Sequence, residues 1–117
     1  MALDPIDELA GWATSVLRLL DESRKSSESW PDYWGPFDLV GVYHQRARIE
    51  ALAGGPLGAL LGAVDALLLT FTEDVGVAWV ESIGLGEEAG DGWWWRLVPF
   101  DGPLRDELED RIGRQAR

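Results

Sequence analysis

The sequence contains no cysteine and a single histidine, His44. Without thiols the chain has no disulfides and no thiolate ligands for a metal. A single histidine without cysteine also supplies too few ligands for zinc and similar ions. We therefore expect no metal site and no cofactor. A chain of 117 residues is nevertheless long enough to bury a core, and we expect one domain over residues 1–117.

Motifs that support catalysis are missing as well. No serine stands in a G-x-S-x-G turn, and no glycine-rich stretch leads into Gly-Lys-Ser or Gly-Lys-Thr as in a phosphate-binding loop. Asp38 precedes His44 by a spacing that places the two side chains on different faces of a helix. We therefore expect a protein that binds a partner rather than an enzyme.

Positive charge is scarce. Only 10 residues are basic against 21 acidic ones, which gives a net charge of −11, and Arg96 is the one basic residue between positions 54 and 100. Direct binding of nucleic acid is disfavoured because phosphates need cationic contacts. The net negative charge favours a basic protein partner. The alternative is that it only keeps a tryptophan-rich protein in solution.

Long hydrophobic runs are absent too. The most apolar stretch, residues 57–72, is shorter than the roughly 20 residues that cross a bilayer, and Asp65 lies inside it. The N-terminus reads MALDPIDELA and has no basic leader. We expect no membrane contact and a cytoplasmic location.

Apolar residues recur at helical spacing in four segments. A first helix begins at Pro5 with Asp4 as its cap and fades near Ser23, a second covers residues 37–52, a third covers residues 57–71, and a last one begins near Pro103. The first helix is expected to bury Ile6, Leu9, Ala13, Val16, Leu17 and Leu20. The third should be the central helix, with Leu57, Leu60, Leu61, Val64, Leu67, Leu68 and Phe71 in the core, and should form a hairpin with the second.

Residues 72–85 fit two structures. Helical spacing favours a further helix, whereas alternation at Val75, Val77 and Trp79 favours a strand that would pair with residues 93–98. We therefore predict a mainly α fold, a small bundle of four to five helices with a central helical hairpin and one extended Trp-rich segment. The alternative is an α+β fold with a C-terminal β-hairpin.

Seven tryptophans are an unusual load for a chain of this length, since an indole is large and its N–H needs a partner. Trp93, Trp94 and Trp95 are consecutive, and no regular backbone points three successive side chains the same way. In an extended segment Trp93, Trp95 and Leu97 would face the core, while Trp94 and Arg96 would face solvent. Because Trp dominates many binding interfaces, we interpret Trp94 as a contact residue.

Three hypotheses of function follow. The first is an inhibitor of a cationic partner, in its sharpest form a bacterial immunity protein that neutralises a nuclease toxin. Its contact residues would be Trp94, Arg96, Trp34, Tyr33, Trp30, Glu87, Glu88 and Asp91. The second is a small-molecule binder or small enzyme with an aromatic pocket at His44, Tyr43, Trp79 and Trp95. The third is a homo-oligomer, such as a homodimer, whose aromatics meet across a two-fold interface.

Overall fold

The computed structural model describes residues 4–25 and 35–115. Within these ranges the elements are α1 (Pro5–Ser23), α2 (Pro36–Arg48), α3 (Gly58–Thr70), β1 (Thr72–Asp74), α4 (Ala78–Glu81), β2 (Leu97–Pro99) and α5 (Pro103–Gln115). Short 3₁₀ segments lie at Glu50–Gly54, Gly86–Glu88 and Trp93–Arg96. The mainly α prediction is confirmed, with a small antiparallel sheet added. Trp30, Tyr33 and Trp34 lie outside the described residues.

Helix α1 begins where the sequence indicates. The Asp4 carboxylate accepts a hydrogen bond from the Ile6 backbone N–H at 2.8 Å, and Pro5 occupies the first turn. Helix α1 packs against α2, α3, α5 and β2. The prediction that the third helix is central is therefore wrong, because α1 fills that place.

The buried face of α1 also differs from the predicted one. Leu9, Trp12, Val16 and Leu19 are buried, whereas Ile6 and Leu17 are exposed. The buried set keeps spacings of three and four residues, so the periodicity is right and the face is rotated. This orientation buries Trp12, whose indole N–H donates to an Asp65 carboxylate oxygen of α3 at 3.1 Å.

Helix α3 is less buried than its composition suggests. Among its residues only Leu61 and Leu68 are fully buried, and Leu60 and Leu69 are exposed. Helix α2 ends at Arg48 instead of residue 52, and the 3₁₀ segment Glu50–Gly54 then leads into α3. Helices α2 and α3, predicted to form a hairpin, are joined by the ion pair between Arg46 and Asp65, and both also pack on α1.

Residues 72–85 contain a strand and a helical turn. β1 pairs with β2 in antiparallel register, Thr72 opposite Pro99 and Asp74 opposite Leu97. Gly76 follows at φ +76°, and its N–H donates to an Asp74 carboxylate oxygen at 3.0 Å, which turns the chain toward α4. The helix interpretation is therefore right only for Ala78–Glu81, and the strand alternative is right for Thr72–Asp74.

Candidate functional site

The tryptophan run is a tight turn in its first half. Trp93–Arg96 forms a 3₁₀ turn in which the Trp95 N–H donates to the Gly92 carbonyl at 3.3 Å, and only Leu97–Pro99 is extended. A 3₁₀ helix has about three residues per turn. Trp93 and Arg96 are therefore the exposed members of the turn, and Trp94 and Trp95 are buried.

The prediction that Trp94 faces solvent, where it could contact a partner, is wrong. Trp94 is 4% exposed, while Trp93, the residue predicted to face the core, is 39% exposed. The alternation expected of a strand fails because the backbone turns at Gly92, where the Trp94 ring lies so close that a Cβ atom would overlap it. The Trp94 indole N–H is also buried without a hydrogen-bond partner among the described residues.

A buried cation explains why Trp94 lies inside. The guanidinium carbon of Arg46 lies 4.5 Å from the Trp94 ring centroid and 5.7 Å from that of Trp93. Arg46 is 2% exposed, and a guanidinium tolerates such a place when its donors are paired and an aromatic face covers it. Trp94 therefore stabilises the fold from within.

The ion pairs of Arg46 complete this interior group. Its Nε and Nη2 atoms donate to the two carboxylate oxygens of Asp65 at 3.0 and 2.8 Å, and Nη1 donates to Glu50. Burial alone would lower the pKa of Arg46, but hydrogen bonds and the charges of Asp65 and Glu50 raise it above its usual value. We refer to Arg46, Asp65, Glu50, Trp12 and Trp94 as the Arg46 cluster.

The predicted aromatic pocket is filled. Tyr43 makes edge-to-face contacts with Trp79 at 6.0 Å and Trp95 at 5.8 Å between ring centroids. The Tyr43 hydroxyl donates to the Leu97 carbonyl at 2.6 Å, and the Trp79 indole N–H donates to the Trp95 carbonyl at 2.7 Å. These three aromatic residues are part of the core. The prediction that they line a cavity with His44 is wrong, because their rings pack against one another. Tyr43 and Trp79 can be buried because the polar tip of each finds a backbone acceptor at the turn or in β2.

His44 lies at the edge of this core and holds the acidic loop. Its Nε2 atom is 2.8 Å from a Glu88 carboxylate oxygen, and its ring meets Trp95 edge-on at 5.0 Å. Both side chains are roughly half exposed. The pair thus links α2 to the 3₁₀ segment Gly86–Glu88.

The loop that ends at Trp93 carries two exposed acids without an ion pair. Glu87 and Asp91 are exposed, and no described residue pairs with either one. We name Trp93, Glu87, Glu88 and Asp91 the Trp93 surface. Arg96 is exposed as predicted, but its guanidinium pairs with Asp74 at 3.1 Å, which offsets its charge. Of the predicted contact residues that the structure describes, Arg96, Glu87, Glu88 and Asp91 are exposed as predicted, and Trp93 rather than Trp94 is the exposed tryptophan of the run.

A groove of about 390 Å³ lies on the other side of Trp79. Its described lining is mostly apolar and includes Val75, Val98 and Leu108, with Arg105 and Glu109 at its margin. The Arg105 guanidinium is already paired with Glu73 at 2.6 Å and with Glu109 at 2.9 Å. This groove is of the size that small ligands occupy.

Comparison with known proteins adds no assignment. No protein-family model, no curated protein and no solved structure matches the chain. Across residues 4–25 and 35–115, no helix has the length and apolar character needed to cross a bilayer. The same residues contain no group of three or more potential metal ligands.

Proposed function

We propose that the protein is a small acidic interaction protein that binds and neutralises a basic protein partner through the Trp93 surface. The observation that carries the proposal is an exposed indole, Trp93, in the same loop as Glu87 and Asp91, two exposed acids for which no described residue forms an ion pair. Charge of this kind steers association with a basic surface, and an exposed tryptophan supplies apolar area that is desolvated on contact. We assign it no reaction.

The distribution of ion pairs favours the loop before Trp93 as the contact site over the rest of the acidic surface. Asp65, Glu73 and Asp74 each pair with an arginine. These ion pairs weaken the negative electrostatic field over much of residues 54–100, the segment with a single basic residue. Glu87 and Asp91 have no ion-pair partner among the described residues, so a basic partner would meet uncompensated negative charge in the loop that leads to Trp93.

The sharpest form of the proposal is a cytoplasmic immunity protein that covers the basic cleft of a nuclease toxin. A nucleic-acid enzyme must carry cationic groups where the phosphates bind. An acidic surface competes for the same groups. A toxin gene next to this one would supply the partner for a direct test: co-expression of the two proteins should preserve growth, and growth arrest despite high expression would contradict this form.

Affinity capture with matched variants tests the general proposal. The variant Glu87→Gln/Asp91→Asn removes two charges from the Trp93 surface, and the control variant Asp21→Asn/Asp101→Asn removes two exposed charges elsewhere. A basic protein retained by the wild type and the control but lost with the Trp93-surface variant is the expected result. Equal capture by both variants would show that the loop is not the contact site.

The alternative of a small-molecule binder has its structural support in the groove beside Trp79. Val75, Val98 and Leu108 offer an apolar lining, which suits an apolar ligand. An environment-sensitive dye such as ANS tests this alternative. Binding that is lost in Ile112→Gln, a partly buried residue of the groove lining, but kept in the Trp93-surface variant would favour the groove, and no binding by the wild type would remove it.

A further inference from the structure

An apolar seam runs along the outside of the molecule between α1 and α3. Ile6 is 63% exposed and Leu17 is 55% exposed on α1, and Leu60 is 59% exposed on α3. Between the two helices lies a groove of about 310 Å³ with a described lining of Ile6, Leu9, Ala10, Ala13, Leu60, Ala63 and Val64. Exposed apolar area that is contiguous marks a contact site more often than scattered residues do.

The seam has the spacing of a helix-packing face. Ile6, Ala10, Ala13 and Leu17 follow one another at intervals of four, three and four residues. Leu60, Val64 and Leu67 on α3 follow at intervals of four and three. The helices α1 and α3 run side by side in the same direction, because Ile6 borders Leu60 at one end and Leu20 borders Leu67 near the other. Two parallel helices therefore present one ridged apolar face.

The α1 stripe of this face is uncharged from Ile6 to Leu17, and Asp21, one turn further, is the charge at its C-terminal end. The uncharged stretch matters in a chain of net charge −11. Asp65 is the one charged residue of α3, and it points away from the seam into its ion pair with Arg46. Two copies of so acidic a chain repel one another over most of their surfaces. An uncharged apolar face is the place where they can approach without opposing carboxylates.

Beside the apolar stripe, α1 carries an acid and a base that are spaced to pair with the opposite charges of a second copy. Asp7 lies near its N-terminus and Arg18 lies eleven residues further on, so both fall on nearly the same side of the helix. Both are exposed, and no described residue pairs with Arg18. A two-fold axis across the middle of the apolar stripe, near Gly11 and Trp12, would bring Arg18 of each copy next to Asp7 of the other.

We propose that the α1–α3 face forms a symmetric dimer with a second copy of this chain, the α1 helices antiparallel across the two-fold axis. Such a face is isologous, since the same residues contribute from both copies. The four helices would form a bundle around the aliphatic seam. No residue of the Trp93 surface belongs to this face, so this inference stands or falls independently of the proposed function.

A matched pair of variants tests the face. Leu60→Asp places a charge in the seam, and Phe37→Asp places the same charge at a residue of α2 that is 60% exposed, almost equal to Leu60. Analytical ultracentrifugation over a micromolar to submillimolar range should find a dimer for the wild type and for Phe37→Asp. The dissociation constant should rise about 30-fold or more in Leu60→Asp, because an unpaired charge is desolvated there. A wild type that stays monomeric, or a Leu60→Asp protein that dimerises as well as Phe37→Asp, overturns the proposal.

A charge swap tests the antiparallel arrangement. Arg18→Glu and Asp7→Arg each place like charges opposite each other in their own dimers, so each should dimerise several-fold more weakly than the wild type. When the two variants are mixed, one copy of each restores an acid opposite a base at both rim contacts, so a heterodimer should form in preference to either homodimer. Native mass spectrometry distinguishes the three species, and a statistical mixture would contradict the antiparallel arrangement.

Discussion

The Arg46 cluster allows a quantitative prediction for Asp65→Ala. The substitution removes both carboxylate oxygens from a guanidinium that is 2% exposed. It also removes the acceptor of the Trp12 indole N–H. Arg46 would be left with Glu50, whose side chain is 55% exposed, and with the face of Trp94.

The expected loss in the free energy of unfolding is about 3–4 kcal/mol. Breaking a buried ion pair by removing one partner costs about 3–5 kcal/mol because the other charge stays buried. The exposed pair with Glu50 offsets at most about 1 kcal/mol. The orphaned indole N–H of Trp12 adds about 1 kcal/mol or more, though effects within one network do not simply add.

Urea unfolding followed by tryptophan fluorescence measures this loss. With a slope of about 2 kcal/mol per molar urea, the midpoint should fall by about 1.5–2 M. Glu109→Ala serves as a control, since it removes an exposed partner of Arg105, which keeps Glu73; the expected loss there is about 0.5 kcal/mol or less. The double variant Arg46→Met/Asp65→Leu removes both charges and should recover much of the stability. A loss below about 1 kcal/mol for Asp65→Ala would refute the reasoning, because the cluster would then behave as a solvated surface pair.

Three further predictions concern the turn and the aromatic core. Gly92→Ala should lower the unfolding midpoint, because a Cβ atom would overlap the Trp94 ring; a midpoint equal to the wild type in thermal denaturation would contradict this packing. Burial raises the pKa of Tyr43, so the folded chain keeps a proton that the unfolded chain releases above about pH 10. Stability should be unaffected by this group below that pH and fall above it, and Tyr43→Phe should make the alkaline loss shallower; unfolding midpoints from about pH 8 to about pH 11.5 check the sign. Trp93→Phe should reduce quenching of fluorescence by acrylamide, because Trp93 is 39% exposed and Trp94 only 4%; unchanged quenching would contradict the exposure of Trp93.

The helices of this fold could be predicted because their signals are local. Asp4 and Pro5 mark the start of α1, and apolar spacing marks α3 and α5. The buried faces could not be predicted equally well. Helix α3 is apolar on nearly every side, so its periodicity does not distinguish the Leu61 face, which is buried, from the Leu60 face, which is exposed.

The site could be predicted less well because its contacts are distant in the chain. Arg46 meets Asp65 at a separation of 19 residues, and His44 meets Glu88 at a separation of 44. The exchange of roles between Trp93 and Trp94 depends on a 3₁₀ turn, whose period of three differs from the alternation of a strand. Gly92, just before the run, is the one local sign of that turn. The sequence alone does not show that the Trp94 ring packs against Gly92.

The central claim is that the acids beside Trp93 steer a basic partner to this protein. The most direct measurement is the association rate of the captured partner as a function of ionic strength, for the wild type and for Glu87→Gln/Asp91→Asn. The wild-type rate should fall about tenfold or more as salt rises from low to physiological concentration and above, and the variant should start slower and fall less. A rate that is the same for both proteins and indifferent to salt would contradict it.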